Sequence, residues 1–148
     1  MTVTTRPLRA GDRAGWDVLY QGYAAFYKVT QTAQMRETVW SWLLDPGHQS
    51  EGIVAGDAAG RLIGLTHFRP FARPLSASIG GFLDDLFVSP DARGSGTADA
   101  LIAAVAAEGR ARGWSVIRWI TAEDNYRARG VYDRLGEQTK WLTYDIRL

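Results

Sequence analysis

Residues 82–114, FLDDLFVSPDARGSGTADALIAAVAAEGRARGW, decide the fold. Phe82 to Val88 has the composition of a strand with little solvent on either face. Ser89 and Pro90 end it, because proline fixes φ and removes a backbone donor. A small loop with Gly94, Ser95 and Gly96 follows. From Thr97 onward Ala98, Leu101, Ile102, Val105 and Ala106 recur at the helical period. Gly113 stands just past the helix, where a left-handed cap is commonly needed. Strand, glycine loop and helix in that order turn backbone N–H groups and the positive end of a helix dipole toward an anion, and phosphate is the anion proteins bind this way.

Outward from this stretch, a short strand is predicted around Val3 to Leu8. Asp12 is placed to cap a helix with Trp16, Leu19, Tyr20, Tyr23, Phe26 and Tyr27 at helical spacing. A second helix is predicted from Thr32 to Leu44, with Met35, Val39, Trp42 and Leu43 on one side, ending at Asp45-Pro46-Gly47. Residues 51–70 read as two strands around a glycine turn, and residues 80–88 as a third, central strand. Beyond the long helix, residues 114–121 form the next strand. Asp124 or Asn125 opens a helix carrying Ala128, Val131, Tyr132 and Leu135, which Gly136 closes. Last, Leu142, Tyr144, Ile146 and Leu148 alternate with Trp141, Thr143, Asp145 and Arg147, the pattern of a final strand. The expected fold class is α/β in the broad α+β sense, one domain over residues 1–148, in the order β-α-α-β-β-β-α-β-α-β. Residues 71–78 are the most irregular connection and suit either a substrate-side loop or an ordinary surface turn.

Composition narrows the function. Seventeen Lys and Arg against sixteen acids give a formal charge of +1, so no basic field argues for nucleic acid. Cysteine is absent, which excludes disulfides, a thiolate nucleophile and cysteine-based zinc sites. No run approaches the roughly 18 apolar residues of a membrane span, and the N-terminus lacks a signal-peptide core; a cytoplasmic protein is expected. His48, in a polar turn, and His67, in a strand, have no neighbouring ligand or nucleophile motif, so neither is read as a metal or triad residue.

The loop lacks the Gly-Lys-Ser/Thr of a nucleotide-hydrolysing loop and the third glycine of a dinucleotide fingerprint. Alone, a glycine-containing βα turn is more often only a tight connection. Read with the later stretch WITAEDNYRARGVYDRLG, however, it resembles the two signature regions of the GCN5-related N-acetyltransferase (GNAT) superfamily. Arg93, Gly96 and Ala98 match the superfamily's pyrophosphate loop, with Gly94 alongside; Asn125, Ala128, Tyr132 and Gly136 match its later signature. The likeness covers nearly the whole chain and is nearest to the diamine, polyamine and fungal histone/polyamine acetyltransferase branch. Two departures stand out: Asp84 occupies a position where that branch usually has Glu, and Gly130 lies inside a helix at a cost of about 1 kcal/mol against Ala.

The resemblance implies transfer of an acetyl group from acetyl-CoA to a primary amine of a small molecule, such as a polyamine or amino acid, by direct attack in a ternary complex. A protein lysine or N-terminus is the alternative acceptor, and a non-catalytic acetyl-CoA-binding module the alternative of another class. By the same resemblance Asp84 is the candidate general base, Asp85 a substrate contact, and Tyr132 the acid for the departing thiolate. Leu86, Phe87 and Val88 offer main-chain groups to the thioester and pantetheine arm. Arg93, Gly94, Ser95, Gly96, Thr97 and Ala98 hold the pyrophosphate, and Asn125 is a helix cap that also touches the cofactor. An alkylammonium is almost wholly charged at neutral pH, so the chemistry needs a proton acceptor beside it. The plain readings are that both acids only pair with arginines and that Tyr132 only packs under its helix. Tyr23, Phe26 and Tyr27 are candidate walls for a cationic acceptor or, equally, core residues. A homodimer paired through the final strand is expected; no metal is.

Overall fold

In a computed structural model describing residues 2–148, the strands form one five-stranded sheet in chain order. They are β1 (Thr4–Pro7), β2 (Glu51–Gly56), β3 (Leu62–Arg73), β4 (Ser78–Val88) and β5 (Ile117–Arg118). β1 to β4 are antiparallel neighbours, and β5 joins β4 in parallel. Helices α1 (Arg13–Phe26) and α2 (Ala33–Leu44) follow β1, α3 (Thr97–Arg112) links β4 to β5, and α4 (Tyr126–Leu135) follows β5.

Each face of the sheet has its own core. Trp16, Leu19, Tyr20 and Trp40 of α1 and α2 pack with Val54, Leu65 and Phe87 on one face. Leu101, Ile102 and Val105 of α3 pack with Ile53, Ile63, Phe68 and Leu83 on the other. Each such side chain contributes roughly 1.5–3 kcal/mol by leaving water. Both helices lie close: a Cβ at Gly22 would sit 3.0 Å from the Phe87 ring, and one at Gly64 would sit 3.0 Å from Thr97.

The hairpin of β3 and β4 carries a bulge at the middle. His67 pairs with Asp85 and Phe68 with Leu83, so Asp84 is the extra residue on β4. A bulge re-aims side chains by breaking the period-two alternation. Here Leu83 belongs to the α3 core, and beyond the bulge Leu86 and Val88 pack there too, while Phe87 joins the α1 core.

Several expectations change. Residues 137–148 form no strand or helix, and their side chains are exposed, so the anticipated final strand does not join the sheet. β5 is two residues long rather than the eight-residue run read from sequence. Asp12 stands at the α1 N-cap position without capping it, because its carboxylate is taken by Arg6 at 2.7 Å and by the Arg9 N–H at 2.9 Å. Thr32 instead caps α2, accepting from Met35 N at 3.1 Å. Trp42, grouped by spacing with Met35, Val39 and Leu43 on one side of α2, is 41% exposed and stacks on His48 at 4.9 Å. Of residues 71–78, read as an irregular connection, Phe71 to Arg73 end β3 and Ser78 starts β4, and only residues 74–77 form the hairpin turn, at the opposite end of β4 from the glycine loop.

Candidate active site

The edge of β4 is open where the glycine loop begins. β5 pairs with β4 only at Gly81 and Phe82, so from Leu83 to Val88 the edge away from β3 carries no strand partner. The side chains of Leu86, Phe87 and Val88 turn into the two cores, leaving the main chain to face this gap. Past a short 3-10 turn, Gly94 and Gly96 both adopt φ of +81°, in the left-handed region that side chains resist. A Cβ at either would meet no heavy atom within 4 Å, so the loop surrounds open space.

Gly96 is the N-cap of α3, and no side chain caps it. Ser95 Oγ donates to Ala92 O, and Thr97 Oγ1 lies 2.7 Å from Ser95 Oγ with Thr97 itself buried. The first-turn N–H groups of α3 are therefore left for an anion. Arg93 does not curl around this space. Its guanidinium lies over the rings of Phe26 and Phe87, at 5.6 and 5.7 Å, which fastens the loop to the end of α1. Asp99 pairs with Arg134 at 3.1 Å and joins the start of α3 to α4.

The bulge gives the two carboxylates opposite surroundings. Asp84 is half-exposed and paired with Arg69 at 3.0 Å; partial burial raises its carboxyl above the usual range, against the pull of Arg69. Asp85 points under α1. Its Oδ2 accepts from the Tyr20 hydroxyl at 3.0 Å and lies 2.7 Å from His67 Nδ1. Burial would raise Asp85, but the bond to His67 and the hydroxyls of Tyr20 and Tyr23 outweigh it and hold the carboxyl below its ordinary value.

An aromatic row leads from Asp85 along α1 toward Asn125 at the start of α4. Tyr20 stacks on Tyr23 at 6.0 Å, Tyr23 meets Tyr27 at 5.0 Å, and Phe26 meets Tyr27 at 5.0 Å. Burial and the Asp85 charge push the Tyr20 and Tyr23 phenols well up. Tyr27 reaches α4, where Asn125 Nδ2 donates to its hydroxyl at 3.5 Å. Asn125 occupies the N-cap of α4 but makes no capping bond. Tyr132, its ring centre 5.5 Å from that of Trp119 in an edge-type contact, has its phenol pushed up to about 12 by burial and by Tyr27. Phe26, Tyr27, Lys28, Ala122, Asp124 and Asn125 line a cavity of about 350 Å³ between α1 and α4.

Contacts thus link the candidate residues: the loop reaches Phe26 through Arg93, Asp85 reaches Tyr27 through Tyr20 and Tyr23, and Tyr27 meets Asn125 and acts on Tyr132. Phe26 and Tyr27 are exposed rather than core. The sequence shows Trp16 and Tyr20 only as residues at helical spacing and His67 only as a strand histidine without a neighbouring motif, not as partners of Asp85. The signal was a polar ring inside an apolar strand, GLTHF, facing a doubled aspartate once the hairpin is closed.

The profile of the family described as "Acetyltransferase (GNAT) family" matches residues 16–136. The chain is similar to the D-amino-acid N-acetyltransferase HPA3 of Saccharomyces cerevisiae, 24% identical over 96% of this chain and 89% of that protein. It is also similar to the uncharacterized N-acetyltransferase YhfO of Bacillus subtilis, 28% identical over 94% of this chain and 93% of that protein. Among solved structures, a ribosomal-protein-alanine N-acetyltransferase from Brucella melitensis superposes with a TM-score of 0.80, at 24% identity, over 99% of this chain and 100% of that one. With strand, glycine loop and both signature regions inside the matched span, this chain belongs to the GNAT family of acetyltransferases.

Proposed function

We propose that the chain transfers an acetyl group from acetyl-CoA to a primary amine of a small molecule, a polyamine, an amino acid or an analogue, with both substrates bound at once. The observation that carries this reading is the unpaired edge of β4, which runs from the carboxylates at the bulge to the glycine loop. That gap suits a thin extended arm ending in a pyrophosphate, and the open space at Gly94 and Gly96 suits the phosphates. Acetyl-CoA supplies the activated acyl carbon as a thioester.

Each residue then has a task. Main-chain groups of Leu86, Phe87 and Val88 hold the arm and polarise the thioester oxygen, and the amides from Arg93 to Ala98 hold the pyrophosphate. Asp84, with its raised carboxyl, takes the proton of the attacking ammonium. The amine nitrogen bonds to the carbonyl carbon and sheds its second proton as the amide forms, the C–S bond breaks, and the Tyr132 hydroxyl gives its proton to the leaving sulfur, to be restored by the proton the nitrogen releases. A phenol shifted up to about 12 is still protonated at neutral pH and so is available as that donor. Asp85, Tyr23, Phe26 and Tyr27 line the acceptor side, where aromatic faces attract a cation.

The whole chain acts as one catalytic domain and works as a homodimer. Trp141, Leu142, Tyr144 and Ile146 are between 77% and 88% exposed on the tail, and β5 leaves its outer edge open. Such a pair of features is satisfied when a second copy lends its tail as a strand. Light scattering at tens of micromolar should give twice the chain mass, and a monomer there contradicts the dimer.

The test of the activity is thiol release from acetyl-CoA with a panel of polyamines, L- and D-amino acids and lysine peptides. Turnover with one small-amine class supports the reading. Turnover only with peptides moves the acceptor to proteins, and tight acetyl-CoA binding without any turnover points to a binding module.

A further inference from the structure

Behind Asp85 lies a line of buried groups that the chemistry above does not use. Trp16 Nε1 donates to His67 Nε2 at 2.9 Å; His67 Nδ1 lies 2.7 Å from Asp85 Oδ2; and Tyr20 Oη donates to the same oxygen at 3.0 Å. Trp16 is fully buried, His67 is 4% exposed and Tyr20 9%. An indole N–H can only donate, so Nε2 of His67 must be the accepting nitrogen and Nδ1 must carry the proton. Nδ1–H then donates to Asp85, which leaves the ring neutral and the carboxylate ionised.

This arrangement has a direction. His67 cannot receive a proton at Nε2 without losing Trp16, and the indole has no lone pair to pass one on. The line is closed at its inner end, so a proton taken up by Asp85 would have no route onward through it. A carboxylate built in this way is suited to holding a positive charge rather than to removing its proton. Both of these bonds fall on Oδ2, with the Tyr23 hydroxyl also against the carboxylate, so a ligand would meet Asp85 at Oδ1 beside Tyr23. Tyr20 and Tyr23 add aromatic surface beside it.

We propose that Trp16, His67 and Tyr20 form a buried positioning unit that fixes Asp85 as a permanent anion, anchoring a cationic group of the acceptor amine. The unit sets the acceptor's affinity through Asp85, and His67 is its central positioning residue. This rests on the acetyl-transfer reading for the identity of the ligand, while the hydrogen-bond pattern can be checked without activity.

Two measurements test it. Long-range proton–nitrogen correlation spectra of histidine-labelled protein resolve the tautomer of each ring, and the chain has only two histidines, so a His48→Gln variant assigns them. His67 should show a protonated Nδ1 and a bare Nε2 at neutral pH; an imidazolium or the opposite tautomer overturns the proposal. In steady-state kinetics with whichever amine the panel identifies, His67→Phe should raise the amine KM about tenfold, the equivalent of one hydrogen bond to a charged group. Its kcat and the acetyl-CoA KM should move far less. His67→Asn, which keeps a donor near the Nδ1 position, should recover most of the affinity. An unchanged amine KM in a folded His67→Phe protein, or an equal fall in kcat, overturns the anchoring role. Absence of acetyl transfer by the unaltered protein, with the tautomer as described, would instead count against the activity.

Discussion

The two ends of the open edge of β4 are made from different materials. At the loop end the groups offered to a ligand are main-chain: unpaired edge atoms of β4 and the first-turn amides of α3, with neighbouring side chains turned into the cores or, for Arg93, onto Phe26 and Phe87. At the bulge end the groups are side chains, and each is held by another from a different element, Asp85 by His67 of β3 and Tyr20 of α1, Asp84 by Arg69 of β3. A main-chain site depends on backbone conformation and tolerates much variation around it. A side-chain site depends on partners far away in sequence. Substitutions should therefore separate the two ends cleanly.

The largest effect is expected at Asp84. Asp84→Asn should lower kcat by about 100-fold or more while acetyl-CoA affinity stays near normal, as removal of a general base does. In the unaltered protein the base must be ionised, so kcat/KM should rise with pH through a carboxyl value displaced above the ordinary one, and that limb should vanish in the variant. Tyr132→Phe should show a comparable kcat loss with no change in fold, since the hydroxyl makes no bond that supports α4. Both are read by initial-rate kinetics; an unaffected kcat would remove the residue from the chemistry.

The loop end should respond in the reverse sense. Gly96→Val forces a branched side chain into φ of +81° and so reshapes the backbone under α3. Acetyl-CoA affinity by calorimetry should fall about tenfold or more, with the amine KM nearly unchanged. A variant that bound acetyl-CoA normally would show that the loop is only a connection.

Two further changes lie outside both ends and serve as controls. Arg6→Met leaves the buried Asp12 without its bidentate partner, and unfolding free energy should drop by about 1–3 kcal/mol. The hydrogen bond from Arg6 lowers the Asp12 carboxyl, so this stabilisation is complete above the unfolded value of about 4 and fades as pH falls through the lower folded value. Denaturant melts at pH 7 and pH 3 should show the gap between variant and parent narrowing in acid. Deleting residues 137–148 should change the melting temperature least, because those side chains are exposed, and under the proposed tail-mediated dimer it should leave a monomer in light scattering.

The contrast also explains what the sequence revealed. The loop end was legible because backbone geometry leaves a local trace: glycines at left-handed positions and an apolar strand before them. The order of elements from β1 to α4 was legible for the same reason, since each rests on periodicity within a short window. Asp84 and Asp85 were visible as candidates, but not their difference, because that arises from a one-residue bulge opposite His67. The Trp16–His67–Asp85 line joins residues 51 and 18 positions apart, and no local pattern announces such a contact. The tail misled because alternation shows what a strand would bury, not whether a neighbouring edge is present to pair with it. Asp12 misled because the bidentate bond from Arg6 outcompeted the capping bond.

The central claim is that neighbouring aspartates divide the work, Asp84 moving a proton and Asp85 holding a charge. Asp85→Asn tests it most directly, because an amide oxygen can still accept from His67 and Tyr20 while the anion is gone. Measured beside Asp84→Asn with the same amine, it should raise the amine KM about tenfold or more and leave kcat within about threefold. A collapse of kcat in Asp85→Asn with an unchanged amine KM would contradict the account and make Asp85 the base.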